Sequence, residues 1–463
     1  MSKEQKITLL VAVTTAFLTT FMSSSLNLSI PNIGKEFSTG AAAVGWVVTT
    51  YMFAVSAINV PIGKVADARG RKKILKVGIT LFTLASIAGA FSVSIWMLLG
   101  CRLIQGIAGA MLFATNNAIL LDAFPKEKHG MALGKSVAAT YTGLSLGPVI
   151  GGVLNHYLGW RSVFIASAVV GITALSVAVK GLSKEENITP SEHRDTTGSI
   201  LYMAMMMAVI FGLTDLTVSK YAWMILAAGL LIGCLFVIAE KRAVDPIIRI
   251  SMFTEDPVFT MSNIAAMLNY GATFAIGYIL SLYLQQISGF SSQTAGLILV
   301  AQPVVMALLS PKMGRLADRI EPWKLATGGM MVITTGTLVL TQLSETTSFV
   351  FIIIILAFLG VGFAMFTSPN TKAIMSRVDP KDYGVANSIT ATMRNLGQST
   401  SMAIVTIAMG IFLGGSTLQN ADKATLLHSM KVSFIVFVVL SIIATLMSMK
   451  RGSEIKHEES ETQ

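Results

Sequence analysis

The chain has 463 residues, of which 53% are hydrophobic and only 13% charged, and it carries a net charge of +10 at pH 7. With a mean hydropathy of +0.69, this composition excludes an ordinary water-exposed globular surface and points to a chain embedded in lipid. Two cysteines, Cys101 and Cys234, both inside apolar stretches, exclude a disulfide framework and a cysteine metal site.

A helix crossing about 30 Å of hydrocarbon needs roughly 20 apolar residues, and about fourteen such stretches follow one another along the chain. The first six span 7–30, 44–66, 75–93, 95–121, 131–154 and 163–182. Two more, 200–216 and 222–239, form a hairpin. A second six follow at 258–284, 295–309, 325–343, 350–374, 384–413 and 427–449. The expected organisation is a six-helix bundle (1–182), a linker carrying the extra hairpin (183–257), a second six-helix bundle (258–449) and a polar, disordered cytoplasmic tail (450–463). The fold class this predicts is an all-α polytopic membrane protein with 14 transmembrane helices. The first apolar stretch is too long for a signal-peptide core and lacks a cleavage site, so it is read as a span.

Lysine and arginine cluster in alternate loops: Lys64, Arg69, Arg71, Lys72, Lys73 and Lys76, then Lys126 and Lys128, then Lys312, Arg315, Arg319 and Lys324. Basic residues mark cytoplasmic loops, which sets both termini inside and leaves Lys35, Arg161, Lys220, Lys423 and Lys431 outside. The positive charge therefore reports topology and not nucleic-acid binding. Trp46, Trp96, Trp160 and Trp223 fall at the external water boundary of this scheme and Trp323 at the cytoplasmic one, as interfacial belts favour.

The segment Gly63-Lys64-Val65-Ala66-Asp67 recurs as Gly314-Arg315-Leu316-Ala317-Asp318, about 250 residues later. Pro125-Lys126-Glu127 with Gly130 recurs at nearly the same offset as Pro380-Lys381-Asp382 with Gly384. A constant offset predicts two related halves of like orientation, with Asp318 the second copy of Asp67. Such a duplication resembles the parallel repeat of major facilitator transporters, a resemblance that implies a substrate path at the interface between halves.

The run Gly63-Lys64-Val65-Ala66-Asp67-Ala68-Arg69-Gly70-Arg71-Lys72 resembles the loop signature between the second and third helices of the major facilitator superfamily. Asp67, at the end of a helix, can accept from the positive N-terminus of a facing helix and hold one side shut. Arg71 can pair with a carboxylate, for which Asp122 is the nearest candidate by topology, and Gly70 provides the turn. The usual basic residue directly after the aspartate is Ala68 here, with Arg69 one place later. A plain positive-inside loop with a turn glycine is the alternative.

In the fifth helix, Gly143, Gly147, Pro148, Gly151 and Gly152 form a pattern similar to the antiporter signature of the same superfamily. Gly143, Gly147 and Gly151 share one helical face and permit close backbone approach, while Pro148 removes a hydrogen bond. The alternative is an ordinary packing stripe. If the stripe is a moving contact, Gly147→Leu inserts and expresses but does not transport.

Arg102, with Gln105 and Gly106, resembles the superfamily's arginine motif, and a charge inside a membrane helix is functional by default. At 100° per residue Asn116 falls within about 40° of Arg102 and Asp122 about 160° away, so Asn116 is read as sharing a cavity with Arg102 and Asp122 as facing the lock. In the second half, Leu284-Gln285-Gln286 with Gly289, Ala295 and Gly296, and Arg394-Asn395-Leu396-Gly397, resemble the fourteen-helix drug:proton antiporter family, which includes quaternary-ammonium and tetracycline exporters. Arg394 also has a structural alternative as a salt-bridge or capping residue. The family's first helix commonly carries an acidic residue where this chain has Met22, five places before Asn27.

The remaining candidate substrate contacts are polar but neutral: Asn27, Asn116, Tyr141, Asn263, Asn269 and Tyr270, with Arg102 and Arg394 positive. Such a set favours neutral, zwitterionic or anionic amphiphiles. The resemblance implies proton-coupled export of small amphipathic compounds from the cell by alternating access. It implies no cofactor, the proton gradient as energy source, and as partners the substrate, protons and membrane lipid, with no nucleic acid and a monomeric state. A single-substrate exporter or facilitator of a metabolite such as an amino acid, lipid precursor or siderophore has the same fold. An enzyme is not expected, because the five histidines are scattered and no nucleophile, metal cluster or phosphate-cradling loop is present.

Overall fold

The computed structural model describes residues 1–27, 29–38, 41–183, 195–214, 216, 220–413 and 422–461; the side chains of Asn27, 30–31, 41–45, 292, 413 and 452–461 also fall outside the description. Residues 184–194, at the start of the expected linker, are therefore outside it. Among the described residues the chain is all helix, with no strand.

Each expected span is found as a helix. The first half holds α1 (Lys3–Asn27), α2 (Ala41–Arg69), α3 (Arg71–Ala90), α4 (Ile95–Ala123), α5 (His129–Leu158) and α6 (Arg161–Gly181). The hairpin is α7 (Thr196–Thr214) and α8 (Ala222–Arg242). Then come α9 (Pro257–Ile287), α10 (Gln293–Leu316), α11 (Pro322–Leu340), α12 (Phe349–Met375), α13 (Tyr383–Leu413) and α14 (Lys423–Glu461). Among the described residues 12 of these are long and apolar enough to cross a membrane. The other two, α11 and α13, are long enough but diluted by threonine, glycine and asparagine. The tail differs from expectation, since α14 continues as helix through 450–461. That stretch contains no proline and is rich in Lys and Glu, which are good helix formers.

Local chemistry explains the helix starts. Ser94 Oγ accepts from Met97 N at the start of α4, Asp256 Oδ1 from Phe259 N at α9, and Ser348 Oγ from Val350 N at α12, each satisfying an otherwise orphaned amide. Between α2 and α3 the chain turns at Gly70, whose φ of 101° suits glycine. Apolar residues cover the outer surfaces too; on α5, Leu144, Leu146, Val149, Ile150 and Val153 are all exposed, as in a helix facing lipid.

The chain forms two compact units. The first comprises Met1–Met203, Ala239–Ile248 and Val378–Ala391, so it holds α1 to α6 and the first turns of α13. Its core includes Leu18, Met22, Phe82 and Phe164. The second comprises Ala204–Ile238, Arg249–Arg377 and Thr392–Gln463, with Phe259, Phe366, Phe434 and Phe437 buried in it. Within this unit the hairpin closes at Gly212, where an added Cβ would lie 2.7 Å from Leu226, and Leu216 and Ala222 pack on Ala403 of α13.

Candidate functional site

A polar cluster of the first unit lies where α2 ends, α3 begins and α13 begins. Asp67 Oδ1 accepts from Gly384 N at 2.9 Å and Oδ2 from Val385 N at 2.9 Å, so the carboxylate caps the first turn of α13. Arg71 Nε donates to Asp67 Oδ1 at 2.7 Å, and Arg71 Nη1 reaches both oxygens of Asp122 at 2.9 and 2.8 Å. Arg71 Nη2 donates to the Pro380 carbonyl, and the guanidinium lies 5.5 Å from the Tyr383 ring centroid. The Asp67 and Arg71 side chains are only 8% and 9% exposed, whereas Asp122 is 34% exposed and its share of the attraction is screened by water. An anion on a helix N-terminus and a cation on that anion reinforce each other.

Glycine makes the approach possible. An added Cβ at Gly63 would lie 2.4 Å from Ser388 Oγ and 2.8 Å from the Gly384 carbonyl oxygen, and one at Gly384 would lie 2.6 Å from Asp67 Oδ1. Two further contacts hold the same turns of α13: Asn59 Nδ2 donates to the Ser388 carbonyl at 2.9 Å, and Asn117 Nδ2 to Asn387 Oδ1 at 2.8 Å. Asn387 in turn donates to the Phe113 carbonyl.

In the second unit Asp318 sits just past the end of α10 and pairs with Lys372 of α12 at 2.7 Å, with the ammonium also donating to the Ala317 carbonyl at 2.9 Å. The repeat thus preserves an aspartate at a helix end, and here it is paired with a lysine.

Gly143, Gly147 and Gly151 pack on α1. An added Cβ would lie 2.3 Å from Thr20 Oγ1 at Gly143, 1.8 Å from Ser24 Oγ at Gly147 and 2.5 Å from Ser25 Cβ at Gly151. Ser24 Oγ donates to the Gly143 carbonyl at 3.2 Å and Ser25 Oγ to the Gly147 carbonyl at 2.8 Å. The helix runs unbroken through Pro148, and Gly152 lies beside the stripe, half-buried. The stripe is therefore a contact inside one unit.

The candidate substrate residues are divided between the two units. Arg102 is 1% exposed; its Nε donates to the Val47 carbonyl at 2.8 Å, its Nη1 to Gln105 Oε1 at 2.8 Å, and its Cζ lies 4.6 Å from the Tyr51 ring centroid. Asn116 shares its helix face but sits about 21 Å along α4 at 1.5 Å per residue. It accepts from Thr15 Oγ1 at 3.0 Å and donates to Ser136 Oγ at 3.1 Å, knitting α1, α4 and α5 together. Tyr141 is buried in the same unit. Asn27 ends α1, and its side chain lies outside the description. In the second unit Asn263 is buried and donates to the Phe259 carbonyl at 3.0 Å, Tyr270 packs at 6.4 Å from Phe363, and Arg394 is half-buried on α13. Asn269 is 1% exposed, and its Nδ2 has no hydrogen-bond partner among the described residues. Met22 is enclosed in the first unit, where its sulfur accepts from Ser167 Oγ at 3.1 Å.

A family model for the Major Facilitator Superfamily matches residues 12–402 and, a second time, 262–462. The chain belongs to the Major Facilitator Superfamily. Its relatives include the riboflavin transporter RibZ of Clostridioides difficile, 28% identical over 90% of this chain and 90% of that one. The multidrug resistance protein Stp of Mycobacterium tuberculosis is 25% identical over 92% of this chain and 79% of its own. The multidrug efflux pump LfrA of Mycolicibacterium smegmatis is 25% identical over 80% of this chain and 74% of its own. Among solved structures, the proton:xylose symporter XylE has a TM-score of 0.70 at 14% identity, covering 96% of this chain and 95% of that one, which shows the shared fold. This facilitator is a multi-pass membrane transporter.

Sequence reasoning passed over several residues that order the transporter. Asn59 lies on the face that carries Gly63 and Asp67, at steps of four, so the stripe itself signals it. Arg451, placed by the sequence just beyond the last span, is fully buried on α14 and donates to Ser262 Oγ, Asn370 Oδ1 and Ser448 Oγ at 2.9, 2.6 and 2.8 Å. Glu36, in the short helix after α1, accepts from Trp160 Nε1 at 2.7 Å and from Arg161 Nη1 at 2.6 Å. The Trp160 hydrogen bond, then that of Arg161, holds the Glu36 carboxyl below the usual carboxylate range. A lowered value contributes stability that is present above the ordinary value of about 4.3 and lost as pH falls through the folded one. Acidifying below pH ~4 is therefore expected to change Trp160 emission in the wild type and not in Glu36→Gln, measured as a difference between the two proteins.

Proposed function

We propose that this transporter exports small amphipathic compounds in exchange for protons, by alternating access. The reading is carried by Asp67, which caps the first turn of α13 while sharing Arg71 with Asp122. A carboxylate in that position holds the end expected to face the cytoplasm closed, and its protonation weakens the closed arrangement by about 1–3 kcal/mol. Proton binding and opening are then linked. The multidrug names of Stp and LfrA support the export of varied compounds.

The absence of a carboxylate at Met22 favours neutral over dicationic substrates. With the likeness to RibZ, it also supports a second reading, transport of one neutral aromatic metabolite of the riboflavin kind. The two readings separate in liposomes holding the purified protein, supplied with riboflavin and a panel of neutral and cationic amphiphiles. Many substrates releasing protons down an imposed pH gradient supports export of varied compounds; riboflavin alone supports the second. Asp122→Asn is expected to keep substrate binding and to lose most of the dependence of transport on the pH gradient. Full proton dependence in that variant would make Asp122 purely structural.

A further inference from the structure

At the ends of the hairpin helices within the first unit, two acidic side chains meet. Asp195 caps α7, its Oδ1 accepting from Gly198 N at 2.6 Å. Glu240, near the end of α8, is 3% exposed, and its Oε2 accepts from Ile248 N at 2.9 Å. The second oxygen of each, Asp195 Oδ2 and Glu240 Oε1, is buried and has no hydrogen-bond partner among the described residues. Both crowd the same point: a Cβ added at Gly198 would lie 2.3 Å from Asp195 Oδ2 and 2.1 Å from Glu240 Oε1. Among the described residues, the charged groups on the neighbouring stretches of chain include Lys241 and Arg242 on α8 itself, Asp245 and Arg249 in the segment that follows, and Lys64 on α2. Asp245 and Lys64 are joined to each other at 2.5 Å.

Two bare carboxylates in a buried site repel strongly, and one of them keeps its proton instead. We propose that Asp195 and Glu240 form a proton-binding site, one carboxyl O–H donating to the other's carboxylate oxygen across Gly198. The bound proton also fastens a strap. Residues 243–248 are tied at one end to Glu240 through Ile248 N and, through Asp245, to Lys64, one residue from Gly63 of the lock helix. When the proton leaves, the charged pair pushes apart, Glu240 shifts from Ile248 N, and the strap loosens.

The test uses the full chain in detergent or lipid. A hydrophobic carbodiimide, which attacks protonated buried carboxyls, is applied across a pH series and the modified peptides are mapped by mass spectrometry. Hydrogen exchange of peptides covering 243–248 is read in parallel, corrected for intrinsic pH dependence. In the wild type, Glu240 or Asp195 is expected to be modified at neutral pH and progressively less as pH rises, with strap protection falling together with it. In Asp195→Asn the amide donates permanently to Glu240, so modification of Glu240 is expected to drop about tenfold, the equivalent of one unit in proton affinity. The strap of this variant then stays protected at all pH values. The proposal is overturned if neither wild-type carboxyl is modified at neutral pH, or if strap protection in the wild type does not follow modification. It is also overturned if Mg2+ at constant pH and ionic strength blocks modification, which identifies a cation in place of the proton. The wild-type measurements stand even where a variant does not fold.

Discussion

Asp67→Ala is expected to lower transport by about a hundredfold or more while leaving most of the transporter folded. The carboxylate accepts three hydrogen bonds, two from the first-turn amides of α13 and one from Arg71, at 2.7 to 2.9 Å. Removing it orphans the Gly384 and Val385 amides and leaves Arg71 with Asp122 and the Pro380 carbonyl. Bonds to a charged group contribute about 1.5–3 kcal/mol each, and breaking a buried pair by deleting one member costs about 3–5 kcal/mol. At 1.4 kcal/mol per tenfold, the lower bound of that range already exceeds a hundredfold in the population of the closed arrangement. Gly384→Ala tests the same contact without touching a charge, because its methyl would lie 2.6 Å from Asp67 Oδ1 and evict it. Both variants are expected to raise hydrogen exchange in peptides covering 378–391, with little change elsewhere. Transport at the wild-type rate in liposomes by either variant would remove the lock from the mechanism.

The sequence made the fourteen helices legible because each must hide its backbone from lipid within one segment, so apolar length alone marks it. Twelve helices among the described residues are long and apolar enough to cross a membrane, while α11 and α13 stand as helices at the expected positions but are marked less clearly by hydropathy. The contact of Arg71 with Asp122 could be read from motif order and helix phase. What phase could not give was depth: Arg102 and Asn116 share a face yet serve different helix pairs, Arg102 with α2 and Asn116 with α1 and α5. Its neighbour Asn117, one residue and about 100° away, is the one that reaches Asn387. Arg451 was hidden for a different reason, since a basic residue after a last span reads as a solvated anchor. Only packing shows it enclosed by Ser262, Asn370 and Ser448.

Alanine at Gly143 or Gly151 is expected to destabilise the transporter more than alanine at Gly147, although the methyl at Gly147 makes the shortest single contact. At Gly147 the nearest atom is Ser24 Oγ at 1.8 Å, a side-chain tip that can rotate, while the nearest backbone atom is the Phe21 carbonyl oxygen at 3.2 Å. At Gly143 a Cβ would also meet the Phe17 carbonyl oxygen at 2.8 Å and at Gly151 Ser25 Cα at 2.8 Å, so there the backbone of α1 must move. Overpacking that forces backbone shifts costs about 1–3 kcal/mol and sometimes more. Leucine at Gly147 cannot be accommodated by turning Ser24 alone. It pushes α1 from α5 and breaks the bond from Ser25 Oγ to the Gly147 carbonyl. Because both helices belong to one unit, Gly147→Leu is expected to lose folded protein together with transport, which alters the expectation of a well-expressed but inactive variant. The decisive comparison is melting temperature in detergent against transport in liposomes across the four variants. If the two fall in the same order, Gly147→Ala least and Gly147→Leu most, the stripe is a packing seam. Unchanged melting temperatures with abolished transport would instead make it a surface that moves during each cycle.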